Sequence, residues 1–184
     1  MKQRIHIFGA SGSGTTTIAK NICDRIGYKH FDSDDYFWLP TDIPFTVERP
    51  REEYFQLLQN DLQSNEQWIL SGSLVGWGAD IFIPLFDLVV FVYVPSDIRL
   101  ERLKKREYER YGEKMLPGGS QYEKSQAFLE WAAAYDAGTH TGRSLPKHEQ
   151  WLKNIRCSVV RIVNHSLDDS INKTLQAIEE RHTV

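Results

Sequence analysis

GASGSGTTT, residues Gly9–Thr17, follows directly on the run Ile5-His6-Ile7-Phe8 and leads into a stretch with helical spacing. The layout is that of a phosphate-binding loop, G-x-x-x-x-G-K-[ST], with Gly9 first, Gly14 second and Thr16 in the Ser/Thr position. The lysine position holds Thr15. Such a loop works because successive backbone N–H groups curl around an anion while the following helix points its positive end at it. Glycine is needed where φ is positive or where the phosphate presses on the backbone, and Gly9, Gly12 and Gly14 supply both.

Ser11 and Ser13 can add hydroxyl donors to the cradle, and Thr15, Thr16 and Thr17 complete the residues expected to bind the nucleotide. The Thr16 hydroxyl suits Mg²⁺ held between the β- and γ-phosphates of ATP. The plainer alternative is a tight strand-to-helix turn, although three glycines and two serines in six residues exceed what a turn needs. A dinucleotide fingerprint starting at Gly12 would need glycine at position 17, which is threonine.

Thr15 removes one positive charge near the γ-phosphate, and phosphoryl transfer depends on positioning and charge stabilisation. Replacement cations crowd one later helix and its exit: Arg99, Arg102, Lys104, Lys105, Arg106, Arg110 and Lys114. Arg102, Arg106 and Arg110 recur every four residues and form a ladder on one helix face. Interspersed Glu101, Glu107, Glu109 and Glu113 also fit a solvated face. Next to a Gly/Pro loop, the ladder reads as a mobile lid clamping phosphate, with Arg143 closing from the other side.

Outward from the loop, strands alternate with helices. Arg4–Phe8 reads as a buried strand, and Thr16–Ile26 as a helix stopped by Gly27. His30–Phe31 is a second strand, residues 39–50 a proline-rich loop, Arg51–Ser64 a helix, and Gln67–Leu70 a third strand. Leu88–Val94 is apolar throughout and reads as a central parallel strand. A charged helix from Ser96 to about Tyr111, a loop to Ser120, helices near 121–136 and 145–155, a strand at 159–163 and a last helix announced by Ser166 and Asp169 complete the chain. The pattern predicts a parallel sheet with helices on both faces, whose ligands sit at the carboxyl ends of the strands. The glycine loop, the cluster Asp32-Ser33-Asp34-Asp35 and Ser71-Gly72-Ser73 all fall at such ends.

Three carboxylates within four residues are tolerable when a metal or substrate hydroxyls are shared among them. A helix cap with acidic first-turn residues is the ordinary alternative. Beside Mg²⁺-nucleotide, Asp34 suits a base or orienting group for an attacking hydroxyl. Tyr36, Trp38, Phe45 and Trp77 are expected around the acceptor. Aromatics are more often core, but Trp38 and Trp77 stand in Pro/Gly-rich loops that favour stacking. Arg49 and Arg51 flank Pro50 and can bind an anionic acceptor. His140 and His148 show no partners and are expected at the surface.

The chain has 184 residues, 41% hydrophobic, enough for one domain with a sizeable core. No stretch approaches the roughly 18 apolar residues of a membrane span, and the basic start has too few apolar residues for a secretory signal. Cys23 and Cys157 form neither metal spacing nor a disulfide framework. A net charge of −3 gives no support to general nucleic-acid binding. A soluble cytoplasmic protein is expected, without membrane or nucleic-acid partners.

With these residues in view, the chain resembles the P-loop kinases of small molecules, the nucleoside monophosphate kinase and shikimate kinase group. The motifs are GASGSGTTT, FDSDD (Phe31–Asp35), WILSGS (Trp68–Ser73), FVYVPSDIRLERLKKR (Phe91–Arg106) and IVNHSLDDSI (Ile162–Ile171). The Asp32/Asp34 pair with Tyr36 and Trp38 is also similar to bacterial topology modulation proteins. The resemblance implies a three-layer α/β/α sandwich around a five-stranded parallel sheet of order 2-3-1-4-5. It further implies a single kinase-like domain over 1–184, with an acceptor-binding segment at about 36–66 and a lid at about 106–143. Carried over, Gly9–Thr16 hold the ATP phosphates, Asp32 acts through the Mg²⁺ shell, Asp34 grips a substrate hydroxyl, and Asn164-His165 passes beside the adenine. Arg106 matches the lid-entry arginine and Arg143 the arginine after the lid. Ser71-Gly72-Ser73 stands where nucleoside monophosphate kinases usually have Asp-Gly, leaving the metal shell to Asp32. The expected activity is transfer of the ATP γ-phosphate to a small acceptor, a nucleotide among the options. The alternative is a nucleotide-binding regulatory protein that has lost catalysis with its lysine.

Overall fold

The computed structural model describes residues 3–77 and 79–180. Its centre is a five-stranded sheet of β1 (Gln3–Gly9), β2 (Lys29–Asp32), β3 (Gln67–Ser71), β4 (Leu88–Tyr93) and β5 (Ser158–Val163). The order is β2-β3-β1-β4-β5 and every pairing is parallel. The order implied by the resemblance is therefore the observed one.

Alternation along the strands decides what covers each face. Ile5 and Ile7 of β1 and Val90 and Val92 of β4 point to an aliphatic layer under α1 (Thr15–Ile26) and α7 (Leu167–Glu180), which bring Ile18, Ile22, Ile171 and Ile178. Phe8, Val89 and Phe91 point the other way, to an aromatic layer with Tyr54, Leu58 and Leu62 of α3 (Arg51–Gln63) and Trp151 of α6 (Leu145–Leu152). Burial of such side chains contributes roughly 1.5–3 kcal/mol each. His6 lies in the aromatic layer, stacked on Phe8 and Phe86 at 5.2 and 4.8 Å. Its Nδ1 donates to the Leu70 carbonyl, and burial pushes its pKa down to about 3.

A short helix α2 (Ser33–Phe37) follows β2 at once. Beyond it the chain folds back through the isolated bridge between Trp38 and Glu48, so the proline-rich loop is a strap rather than an open excursion. The charged segment after β4 is α4 (Ser96–Tyr111), succeeded by a 3₁₀ turn at Gly112–Met115 and then α5 (Tyr122–Ala133). Leu103, Leu129 and Ala132 join α4 to α5 in a small cluster of their own. Arg99, counted above among the replacement cations, is instead a structural tie. Fully buried, it donates to the carbonyls of Val94 and Ala132 and pairs with Asp136 at 3.2 Å. No described helix is long and apolar enough to cross a membrane.

Candidate functional site

The cradle after β1 is built from main chain and held by buried side chains. A Cβ on Gly9 would lie 2.2 Å from the Val92 carbonyl oxygen, so only glycine lets the loop leave β1 beside β4. Gly14 adopts φ 85° and starts α1 without a side-chain cap. The first amides of α1, from Thr15 to Thr17, are the orphan donors with which every helix begins, and here they open on a cavity. Ser13 corrects an expectation: its hydroxyl turns inward to donate to the Ala10 carbonyl at 2.7 Å, and the residue is fully buried. It pins the loop and offers no hydroxyl to a phosphate. Asn164, expected beside a base, is also buried, donating from Nδ2 to the Ser13 carbonyl and accepting from Ser170.

Asp32 links three elements. Its Oδ1 accepts from the Asp34 amide and caps α2, while Oδ2 accepts from Thr16 Oγ1 at 2.7 Å and Ser71 Oγ at 3.0 Å. Ser71 thus holds Asp32 toward Thr16. A hydroxyl and one carboxylate beside a polyphosphate suit Mg²⁺, which keeps several waters and takes one or two protein oxygens. Among the described residues no group of three or more His, Cys, Asp or Glu could form a dedicated metal cage.

Asp34 is different. Its Oδ1 is enclosed and has no hydrogen-bond partner among the described residues. Burial raises its pKa, aided by Asp32 and Asp35, while the charges of Arg143 and then Arg106 oppose the rise. Both guanidinium groups are themselves held below their ordinary value by desolvation, relieved in part by Asp34. Arg102 donates to the Gly12 carbonyl at 3.4 Å, and Arg110 lies over the Phe45 ring at 4.9 Å. The arginine ladder and Arg143 therefore all border one cavity of about 580 Å³ with the glycine loop, Asp32 and Asp34.

A second cavity, of about 900 Å³, shares Trp38, Trp131 and Arg143 with the first. Trp77 and Arg49 line this second cavity and not the first. Arg49 is largely committed, donating to the Tyr36 carbonyl and pairing with Glu53. Tyr36 lines neither cavity; its hydroxyl reaches away to Asp61. The strap contributes Ile43, Phe45 and Thr46 to the phosphate-loop cavity, so the segment between β2 and β3 borders both spaces.

His148, expected at the surface, is fully buried. Its Nε2 meets Ser73 Oγ at 2.8 Å and its Nδ1 the Tyr135 hydroxyl at 2.7 Å. Desolvation, with the Arg143 and His6 charges behind it, pushes its pKa down to about 3, so the ring is neutral. The relay ties the turn after β3 to both flanks of the segment that carries Arg143. Leu145, His148 and Leu152 share the inner face of α6 at helical spacing, a signal in the sequence that places His148 inward.

Residues 5–127 match the family model described as AAA domain. Over 178 residues, 97% of this chain and 96% of the other, the sequence is 46% identical to "Uncharacterized protein YqaC" of Bacillus subtilis. A cytidylate kinase of Archaeoglobus fulgidus is 31% identical over 115 residues, 56% of this chain and 62% of that enzyme. The fold is similar to that of shikimate kinase from Acinetobacter baumannii in complex with shikimate, with a TM-score of 0.56 and 18% identity over 98% of this chain and 95% of that one.

Proposed function

The chain belongs to the AAA domain family, with a P-loop kinase-like fold, and we propose that it transfers the γ-phosphate of ATP to the hydroxyl of a small acceptor. The observation that carries this reading is Asp34: a residue that borders the phosphate-loop cavity, with one carboxylate oxygen enclosed and without a partner among the described residues and its charge coupled to two desolvated arginines. A protein that only binds nucleotide has no use for that arrangement.

In this reading the amides of the glycine loop and of Thr15–Thr17 hold the ATP phosphates. Mg²⁺, held by the Thr16 hydroxyl with Asp32 behind it, supplies charge neutralisation on the β- and γ-phosphates. The Asp34 carboxylate accepts a hydrogen bond from the acceptor hydroxyl and takes its proton. As the acceptor O–P bond forms, the bond between the γ-phosphorus and the bridging oxygen breaks and ADP leaves. The raised pKa of Asp34 makes it a better base than a solvated carboxylate. Arg102, Arg106 and Arg143 serve where the loop lysine would stand, stabilising charge on the transferring group. The regulatory reading is favoured by one residue, Thr15, and it predicts binding without turnover.

The test is transfer from γ-labelled ATP with Mg²⁺ to a panel of hydroxylated metabolites, with hydrolysis measured in parallel. Thr15→Lys is expected to raise basal ATP hydrolysis, because it returns a cation to the transferring phosphate. Tight ATP binding with neither transfer nor hydrolysis, in the native chain and in Thr15→Lys alike, would overturn the kinase reading.

A further inference from the structure

The second cavity is notable for what its walls leave out. Among the described residues, no Ser, Thr, Asn, Gln, Lys, Asp or His side chain lines it. Five aromatic side chains line it, Phe37, Trp38, Tyr54, Trp77 and Trp131, beside the charged groups of Glu48, Arg49, Arg51 and Arg143. Trp77 stacks on Phe37 with centroids 4.0 Å apart and planes 15° from parallel, which makes a stiff two-ring wall. The ring contacts of Trp38, with Phe37 and Phe45, are both close to perpendicular at 85° and 83°. Trp38 lines both cavities and is half-buried, with no described ring stacked parallel on it.

The charges are equally selective. Arg49 is held by Glu53 and the Tyr36 carbonyl. Arg51 and Arg143 form no ion pair within 4.0 Å among the described residues and lie over the rings of Phe55 and Trp131, at 5.0 and 5.3 Å, with Arg143 also in the field of Asp34. Against these two guanidinium groups the lining sets one carboxylate, Glu48. The hydroxyl of Tyr54 is buried without a hydrogen-bond partner among the described residues.

We infer that this cavity takes a flat aromatic compound carrying one anionic group. The ring lies among Trp38, Trp77 and Trp131, the anion meets Arg51 and Arg143, and a hydroxyl of the ligand points toward Asp34 of the first cavity, past Trp38, Trp131 and Arg143, which line both. A polyhydroxylated alicyclic or sugar acid is disfavoured, because it has no flat face to set against these rings. The assignment of the ligand as a phosphoryl acceptor rests on the kinase reading above; the ligand's chemical class does not.

The experiment is a calorimetric titration of the full chain in saturating ADP and Mg²⁺, which keeps the nucleotide cavity filled. The probes are AMP, 4-(hydroxymethyl)benzoate, benzyl alcohol, shikimate and gluconate. At least one of the two aromatic anions is expected to bind about tenfold or more tighter than benzyl alcohol, shikimate and gluconate, from stacking and the charged contacts together. Binding of AMP alone makes the ligand a nucleotide, and binding of the benzoate alone makes it an aromatic acid. Trp77→Ala is expected to weaken the favoured probe about tenfold, and Arg51→Met to narrow its advantage over benzyl alcohol. ADP affinity and thermal unfolding report that each variant is folded. Shikimate or gluconate binding as tightly as the aromatic anions would overturn the inference, as would no binding of either aromatic anion. ATP-dependent transfer to shikimate or gluconate would leave the kinase reading standing and sink this one. Binding of an aromatic anion without transfer in any assay would do the reverse.

Discussion

The two sides of the first cavity are made in different ways. On one side the phosphate cradle is nine consecutive residues, Gly9–Thr17, whose donors are backbone amides. The side chains that shape it, Ser13 and Asn164, are buried and turned away from the ligand space. On the other side stand Asp34, Arg106 and Arg143, side chains drawn from separate elements and coupled by one another's charge, with Arg102 beside them on the Gly12 carbonyl. A main-chain cradle tolerates substitution of its exposed side chains, including the loop lysine, as long as the backbone path survives. A side-chain rim has no such reserve. On the kinase reading proposed above, binding belongs to the first region and chemistry to the second, and substitutions should separate them.

The largest effect is expected for Asp34→Asn, which keeps the shape and removes the base. Transfer should fall by about 10²–10⁴-fold while ADP affinity is unchanged. Steady-state rates and ADP titration check this, and a parallel loss of both would break the division. Arg143→Met comes next, with about a 10²–10³-fold fall in transfer. It carries a second signature. Arg143 is the strongest influence opposing the rise of the Asp34 pKa, so its removal raises that pKa further. The acid limb of the pH–rate profile should then shift to higher pH, because Asp34 must lose its proton before it can act as a base.

The same difference explains what could be read in the sequence. The cradle was legible because its parts are contiguous and their spacing is dictated by backbone geometry. The sheet was legible because β1 and β4 carry apolar runs that only a covered strand can bury. The arginine ladder followed from a spacing of four on one helix. What escaped depends on contacts between distant segments. Ser13 looked like a phosphate donor because nothing local shows that Ala10 accepts its hydroxyl. Arg99 looked like its neighbours Arg102 and Arg106, yet lies one turn earlier, where α4 meets the end of α5 and Asp136 waits. Phe45 joined the phosphate side only because the strap folds back at the bridge between Trp38 and Glu48. His148 was lost for the opposite reason: the inner-face spacing on α6 was present and outweighed by its lack of a local partner.

His148 makes an intermediate test, because it belongs to neither region and braces the second. His148→Phe should cost on the order of 1–3 kcal/mol, since it leaves Ser73 and Tyr135 without their buried partner. Transfer should drop through misplacement of Arg143, with ADP affinity kept. The pH dependence separates this residue from a generic core position. His6 and His148 are neutral when folded, with pKa values near 3, and protonate near 6.5 when unfolded. Between those limits the unfolded chain binds more protons, so stability is full above about pH 6.5 and falls with acid, by up to about 1.4 kcal/mol per pH unit for each histidine. Urea midpoints measured from pH 7 to pH 4 should show a shallower decline in His148→Phe. An unchanged slope would show that His148 takes up its proton in the folded state as well.

The smallest effect tests the cradle itself. Ser13 Oγ and the Ser13 amide both donate to the Ala10 carbonyl, at 2.7 and 3.1 Å. Ser13→Ala removes the side-chain bond but leaves that carbonyl a backbone donor, so no buried acceptor is orphaned. The cost should therefore stay near that of one ordinary hydrogen bond, about 1 kcal/mol, and appear as roughly a fivefold weaker ADP affinity. At saturating ATP the transfer rate should match the native one, because the loop still reaches the same shape once the phosphates fill it. A fall in rate at saturation comparable to that of Asp34→Asn would mean that the loop's conformation and not only its occupancy governs the chemical step, and the separation of binding from chemistry would fail at its simplest point.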